Sequence, residues 1–113
     1  MKKIFLLAFI LVGNLAFTAT VEFHIPYNTG KGPWNTKETS AYVKVGDTLR
    51  IYNDDIIPHQ LHTFGAPCGH GPSFPGGNVW ECEITQEYSS KTSGPLYDHL
   101  VGERAEFWIE STN

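Results

Sequence analysis

The chain has 113 residues, the length of one small domain, and a formal charge of −4 at pH 7. Without Lys2 and Lys3 it holds 6 basic against 12 acidic residues, a formal charge of −6. It has no cluster of Lys and Arg to neutralise nucleic-acid phosphates and no basic amphipathic segment for a membrane surface, so neither class of partner is expected.

The N-terminal segment predicts export. Two lysines precede an unbroken apolar run at 4–12, and smaller residues follow it. The run is shorter than the roughly 20 residues that span a bilayer, and the pattern is that of a secretory signal peptide, with an uncleaved anchor as the alternative. We predict cleavage between Ala16 and Thr20, which makes 1–19 the signal peptide and 20–113 the mature domain. That domain would be periplasmic or secreted, without stable membrane insertion.

Beyond this segment, apolar and polar residues alternate in five stretches, and no helical period is present. A period of two with one apolar face is typical of half-buried β-strands. Two shorter candidates join them, and Gly, Pro, Asn and Asp separate the stretches. The predicted strands are 21–26, 41–45, 48–52, 59–64, 80–85, 96–100 and 105–110. Seven short strands with such breaks predict an all-β antiparallel sandwich or barrel.

The chain contains only two cysteines, Cys68 and Cys82. In an exported protein an even pair predicts a disulfide. The alternation points Cys82 inward, so the bridge would tie the long Gly- and Pro-rich loop 65–77 to its strand. On the chain-entropy account, closing such a loop stabilises the fold by about 3 kcal/mol.

The five histidines are candidates for a metal site. His24 lies opposite the apolar face of its strand and is expected in solvent. His59 and His62 belong to one predicted strand but to opposite faces of it, so a regular strand cannot bring both to one ion. His70 lies in the Gly- and Pro-rich loop, and His99 lies in "LYDHLVGER", shortly before the last strand.

Two segments resemble the cupredoxin, or blue copper, family. "VKVGDTLRIYNDDIIPHQLHT", residues 43–63, is similar to the cupredoxin strand that leads to a Pro-His, and His59 matches the first histidine ligand. "GPLYDHLVGERAEFWIE", residues 94–110, resembles the strand that enters the ligand loop. The resemblance implies a Greek-key β-sandwich of about seven strands with copper at one end. It also implies an electron carrier or copper holder rather than an enzyme.

The second segment departs from the family pattern. Cupredoxins carry there a cysteine, a histidine and often a methionine, whereas His99 stands near the cysteine position and the only methionine is the first residue. A blue centre needs a thiolate, and the predicted disulfide removes Cys68 from that role. We therefore predict a non-blue imidazole site for copper, the divalent first-row ion that such sites bind most tightly. Its ligands would be His59 and His99, with His70 third and His62 less favoured, and a redox or copper-handling protein would be the partner.

A metal-free protein of another class stays open as the alternative. It would be a β-sandwich recognition module whose loops, braced by the disulfide, present Trp34 and Phe74 to a partner. The protein would then keep the cupredoxin fold without binding a metal, and His59 would be a half-buried residue at a strand end. Copper titration of the mature domain separates the two interpretations.

Overall fold

Nine short strands, a 3₁₀ turn at Lys37–Thr39 and one helical turn, α1 (Ser90–Ser93), form the part of the chain that the computed structural model describes, residues 17–113. The predicted apolar signal run at 4–12 lies outside these residues. Within them, no helix has the length and apolar character to cross a membrane. The strands are β1 (Thr20–Ile25), β2 (Ala41–Lys44), β3 (Thr48–Asn53), β4 (Leu61–His62), β5 (Val79–Glu83), β6 (Tyr88–Ser89), β7 (Leu96–Asp98), β8 (Gly102–Phe107) and β9 (Ile109–Thr112).

The strands form three three-stranded sheets in the orders β1-β3-β5, β2-β9-β6 and β4-β7-β8. β1 runs parallel to β3 and β2 parallel to β9, and the other pairs are antiparallel. Together they build an all-β sandwich, as the alternation predicts. The small β4-β7-β8 sheet matters most for function because it carries two of the candidate histidines to one end of the sandwich.

Each of the seven predicted segments overlaps a strand, and the described residues hold two strands more. The last segment divides into β8 and β9 at Trp108. There the side chain of Asn35 accepts the Trp108 N–H at 2.7 Å and donates to its carbonyl oxygen at 2.9 Å, and the same oxygen accepts the backbone N–H of Ala41 at 3.0 Å. β6 was missed because Tyr88–Ser89 lies in a polar stretch with no alternating apolar residues.

The core lies between the sheets and takes one face of each alternating strand. Ile25, Leu49, Ile51 and Phe107 have no exposed surface. Trp34 packs its ring against Phe107 at 5.4 Å between centroids. Trp34 and Phe74, which the metal-free alternative would present to a partner, are only 2% and 4% exposed, so that part of the alternative is wrong.

The predicted disulfide is confirmed. Cys68 is bonded to Cys82, 14 positions along the chain, and both side chains are buried. Just before the bridge, the carbonyl oxygen of Pro67 accepts the backbone N–H of Thr85 at 2.9 Å. The long loop is thus fixed to the end of β5 at two successive residues.

Candidate metal centre

Three imidazole rings meet at one end of the sandwich, close to the edge of the β4-β7-β8 sheet. The Nδ1 atom of His62 lies 3.0 Å from Nε2 of His70 and 3.1 Å from Nδ1 of His99. Nε2 of His70 lies 3.2 Å from Nδ1 of His99. The three nitrogens therefore form a nearly equilateral triangle. His70 and His99 are exposed, and His62 is half-buried.

His62 is placed by strand pairing. In β4 its neighbour Leu61 is fully buried, so the two-residue alternation turns His62 to the outer face. β4 pairs with β7 in a register that sets His62 opposite Tyr97. The two rings stack with centroids 4.6 Å apart and planes 22° apart. Nε2 of His62 is buried and has no hydrogen-bond partner within residues 17–113. The orientation of the ring is therefore set by stacking on Tyr97 and not by a hydrogen bond at Nε2.

His70 is placed by a loop that folds back onto β4. The hydroxyl of Thr63 donates to the carbonyl oxygen of Cys68 at 2.7 Å, and the N–H of Gly71 donates to the carbonyl oxygen of Leu61 at 3.0 Å. Gly71 must be small, because a Cβ there would lie 3.0 Å from the ring of Trp80. The segment between these bonds brings His70 over His62, with ring centroids 4.9 Å apart.

His99 lies in the turn that joins β7 to β8. Its own N–H donates to the carbonyl oxygen of Gln60 at 2.7 Å, which fixes the start of the turn to the residue before β4. Its ring contacts His62 and His70 at centroid distances of 5.2 and 5.1 Å. Two strand ends and one disulfide-tied loop thus supply one imidazole each.

The spacing of the three nitrogens fits a metal ion. With metal–nitrogen bonds of about 2.0–2.1 Å, two imidazole ligands of a tetrahedral ion lie roughly 3.3–3.4 Å apart. The observed 3.0–3.2 Å is within a few tenths of an ångström of that spacing.

Hydrogen bonding alone does not satisfy this arrangement. A neutral imidazole has one N–H and one lone pair, and Nδ1 of His70 already donates to the carbonyl oxygen of Gly71 at 2.9 Å. Nε2 of His70 therefore carries only a lone pair, and at most two of the three contacts can be hydrogen bonds. A cation that accepts three lone pairs removes the conflict. In addition, burial, followed by the neighbouring charges of His70 and His99, lowers the pKa of His62, which favours the neutral form that binds metals.

His59 lies outside this group, although the sequence placed it first among the ligands. Its side chain is fully buried, and both ring nitrogens are bound to carboxylates. Nε2 contacts Oδ2 of Asp55 at 2.9 Å, and Nδ1 contacts Oδ2 of Asp98. A nitrogen engaged in this way offers no lone pair to a metal. The geometry therefore places His62, the residue ranked last, in the group of three ring nitrogens where His59 was expected.

The Asp55–His59–Asp98 set is a buried charged triad. Asp55 also accepts the backbone N–H groups of Asn28 and Gly30, each at 2.9 Å. Burial opposes a charge on His59, but the hydrogen bonds that its ring donates to Asp98 and Asp55 outweigh burial and raise the pKa of the ring. Burial likewise opposes the charge of Asp55, but hydrogen bonds from His59 and backbone N–H groups outweigh it and lower the pKa of this carboxyl. Both shifts thus favour a charged His59 ring in the triad.

Solved structures of known proteins identify the fold. The Cu(I) form of a point mutant of amicyanin is 17% identical in sequence, with a TM-score of 0.60 over 88% of this chain and 87% of that one. The oxidised state of another amicyanin mutant is 16% identical, with the same TM-score and coverage. A novel purple cupredoxin from Nitrosopumilus maritimus is 17% identical, with a TM-score of 0.56 over 80% of this chain and 98% of that one. The chain has a cupredoxin-like fold. No protein-family model matches the sequence, and no curated protein does.

The cupredoxin-like fold confirms the resemblance stated on residues 43–63 and 94–110. In that resemblance His59 corresponds to a copper ligand, yet here it is closed off by two carboxylates. Asp55 and His59 lie four residues apart, and Asp98 directly precedes His99, so the acidic neighbours were visible in the sequence. What the sequence did not reveal is that both carboxylates turn inward to the same ring.

Proposed function

We propose that this cupredoxin-like protein binds copper through His62, His70 and His99. The observation that supports the proposal is the triangle of imidazole nitrogens, 3.0–3.2 Å on each side. Imidazole suits copper and zinc, and copper binds such sites most tightly among divalent first-row ions. One solved structure with this fold is the Cu(I) form of an amicyanin mutant.

The copper site we propose is of the non-blue kind. Both cysteines of the chain are joined in the disulfide, so no thiolate is available. A blue centre depends on a thiolate together with two histidines. An ion held by three imidazoles keeps a coordination position for water or another exogenous ligand. The missing soft ligand favours copper holding over electron transfer, and a copper-handling protein is the partner that suits this role.

We further propose that the protein is exported to the periplasm or the medium. The proposed signal segment 1–19 supports this location, and the buried disulfide suits an oxidising compartment. A copper holder in that compartment needs no catalytic group, and we propose no enzymatic activity.

Copper titration of the purified mature domain tests the proposal. Calorimetry should show uptake of one Cu(II) per chain, and the electron paramagnetic resonance spectrum should lack the signature of a blue centre. Replacing any one of His62, His70 or His99 with alanine should weaken the affinity by about tenfold or more. His24→Ala is the matched control, because His24 is an exposed histidine on β1 that contacts Asp54 rather than the cluster.

Two outcomes would overturn the assignment. If the wild-type domain takes up no stoichiometric copper at neutral pH, the copper function is wrong, and a metal-free recognition module is the better hypothesis. If His24→Ala weakens binding as much as the cluster variants do, copper binds elsewhere. An intense thiolate-to-copper absorption band would instead show that the disulfide opens to build a blue centre.

A further inference from the structure

We propose that Asp98 and His59 are positioning residues for the metal ligand His99, an inference that rests on the proposed copper site. The resemblance to cupredoxins gives His59 a direct ligand role. The structure gives it an indirect role. Its ring contacts the Asp98 carboxylate, and that carboxylate fixes the turn that carries His99.

Asp98 organises this turn with one oxygen. Its Oδ1 accepts the backbone N–H of Leu100 at 2.8 Å and that of Val101 at 3.3 Å, and so closes the chain around His99. The same oxygen accepts the N–H of Gln60 at 3.2 Å, which ties the turn to the start of β4. A single carboxylate oxygen therefore fixes the backbone that follows His99 and ties the turn to Gln60.

His59 fixes the other oxygen of that carboxylate. Its Nδ1 contacts Oδ2 of Asp98, and neither side chain has exposed surface. Through Nε2 the same ring reaches Asp55, whose carboxylate holds the backbone of Asn28 and Gly30. The His99 turn is thus anchored through the interior to the loop after β1.

An anchor of this kind is needed because, beyond the bond from its backbone N–H to Gln60, His99 has little else to fix it. Its side chain is exposed, and the ring contacts found for it are with the other two rings of the cluster. An exposed turn without an internal anchor samples many conformations, and ordering it would reduce the affinity for a metal. Partners that orient metal ligands typically change the affinity by 10- to 100-fold when they are replaced.

A double-mutant cycle on copper affinity tests the inference. Asp98→Ala should weaken Cu(II) binding by about tenfold or more, as His99→Ala does, and the double variant should be no weaker than His99→Ala alone. Pulsed electron paramagnetic resonance should show the number of coordinated imidazoles falling from three to two in Asp98→Ala. Asp54→Ala is the matched control, because Asp54 makes the same contact with an exposed histidine, His24, at 2.7 Å.

Asp98→Asn serves as the conservative variant and replaces Asp98→Ala in the cycle if that protein does not fold. The amide keeps an oxygen for the turn, so its loss of affinity should be smaller than that of the alanine variant and should again vanish in the His99→Ala background. Additive losses, or three coordinated imidazoles in every Asp98 variant, would show that Asp98 does not act through His99. Absence of copper uptake by the wild-type protein would instead contradict the proposed function itself.

Discussion

The Nδ1–H of His70 donates to the carbonyl oxygen of Gly71 across 2.9 Å. A carbonyl oxygen only accepts, so Nδ1 carries the proton and the lone pair of the neutral ring is on Nε2. Nε2 is the atom that faces His62 and His99. This one hydrogen bond to the backbone therefore leaves Nε2 as the atom of His70 that can bind a metal ion, before any ion is present.

This tautomer leads to a prediction for the metal-loaded protein. On binding Zn(II), a diamagnetic substitute, His70 should be ligated through Nε2 and should keep its proton on Nδ1, whereas His62 and His99 should bind through Nδ1. Nitrogen-15 NMR of the ring nitrogens distinguishes the two modes by chemical shift. Ligation of His70 through Nδ1 would mean that the bond to Gly71 breaks on metal binding, which would contradict the preformed site.

Metal uptake should depend on pH with a definite sign. A proton competes with the ion for each imidazole lone pair, and an unperturbed imidazole has a pKa of about 6.5. Burial and the neighbouring histidines lower the pKa of His62, so this ring stays neutral further into acid. Apparent Cu(II) affinity should be nearly constant above about pH 7 and fall at least about tenfold between pH 7 and pH 5. Titrations in a non-coordinating buffer check this, and a flat profile would exclude histidine ligands.

His59 should remain charged in the folded protein at neutral pH. Its pKa is raised above 6.5, so the stabilisation from its ion pairs is complete below that pH and is lost as the pH rises through the raised value. The pKa of Asp55 is lowered, so its share is complete above 3.8 and is lost as the pH falls through the lowered value. The metal-free protein should therefore lose stability from neutral towards alkaline pH.

Urea unfolding between pH 5 and pH 9 measures this loss. The measurement belongs in a His62→Ala background, because the lowered pKa of His62 makes a contribution of opposite sign. Ring nitrogen-15 shifts report the charge of His59 directly. A neutral His59 ring at pH 7, or stability that rises with pH above 6.5, would contradict the imidazolium triad.

The β-sandwich could be predicted from the sequence because a buried face leaves a period of two. The stretch 48–52 alternates without interruption, and β3 occupies it with one residue, Asn53, added at its end. The disulfide could be predicted equally well, because the two cysteines of the chain allow only one pairing. Periodicity also separated His59 from His62 correctly, since the structure places one in the interior and the other on the outer face.

Periodicity did not show which of these two histidines belongs to the metal cluster. His62 reaches it only because β4 pairs with β7 and because the loop to His70 folds back over β4, and both are long-range relationships. Asp55 and Asp98, which come from separate parts of the chain, occupy both ring nitrogens of His59 and keep it out of the cluster. A family resemblance carries positions but not the neighbours that change a residue's role, and so it favoured His59, whose two ring nitrogens here contact carboxylates.

The proposed ion should accept an exogenous ligand. Three imidazoles leave at least one coordination position, and two of the three rings are exposed to solvent. Adding azide to the Cu(II)-loaded protein should therefore produce an azide-to-copper charge-transfer band that saturates with concentration. Apo-protein with azide, and Cu(II) with azide in buffer, are the controls. No new band would indicate that the coordination sphere is closed by a further protein group.

The disulfide should support both the fold and the site. Replacing Cys68 and Cys82 together with alanine frees the loop and should lower the free energy of unfolding by about 3 kcal/mol on the chain-entropy account. Copper affinity should fall as well, because Cys68 fixes the loop two residues before His70. In a His70→Ala background the same cysteine replacement should leave the affinity unchanged, since the ligand that the bridge positions is already gone. A further loss of affinity in that background would show that the disulfide supports the cluster through β4 and β7 rather than through the His70 loop.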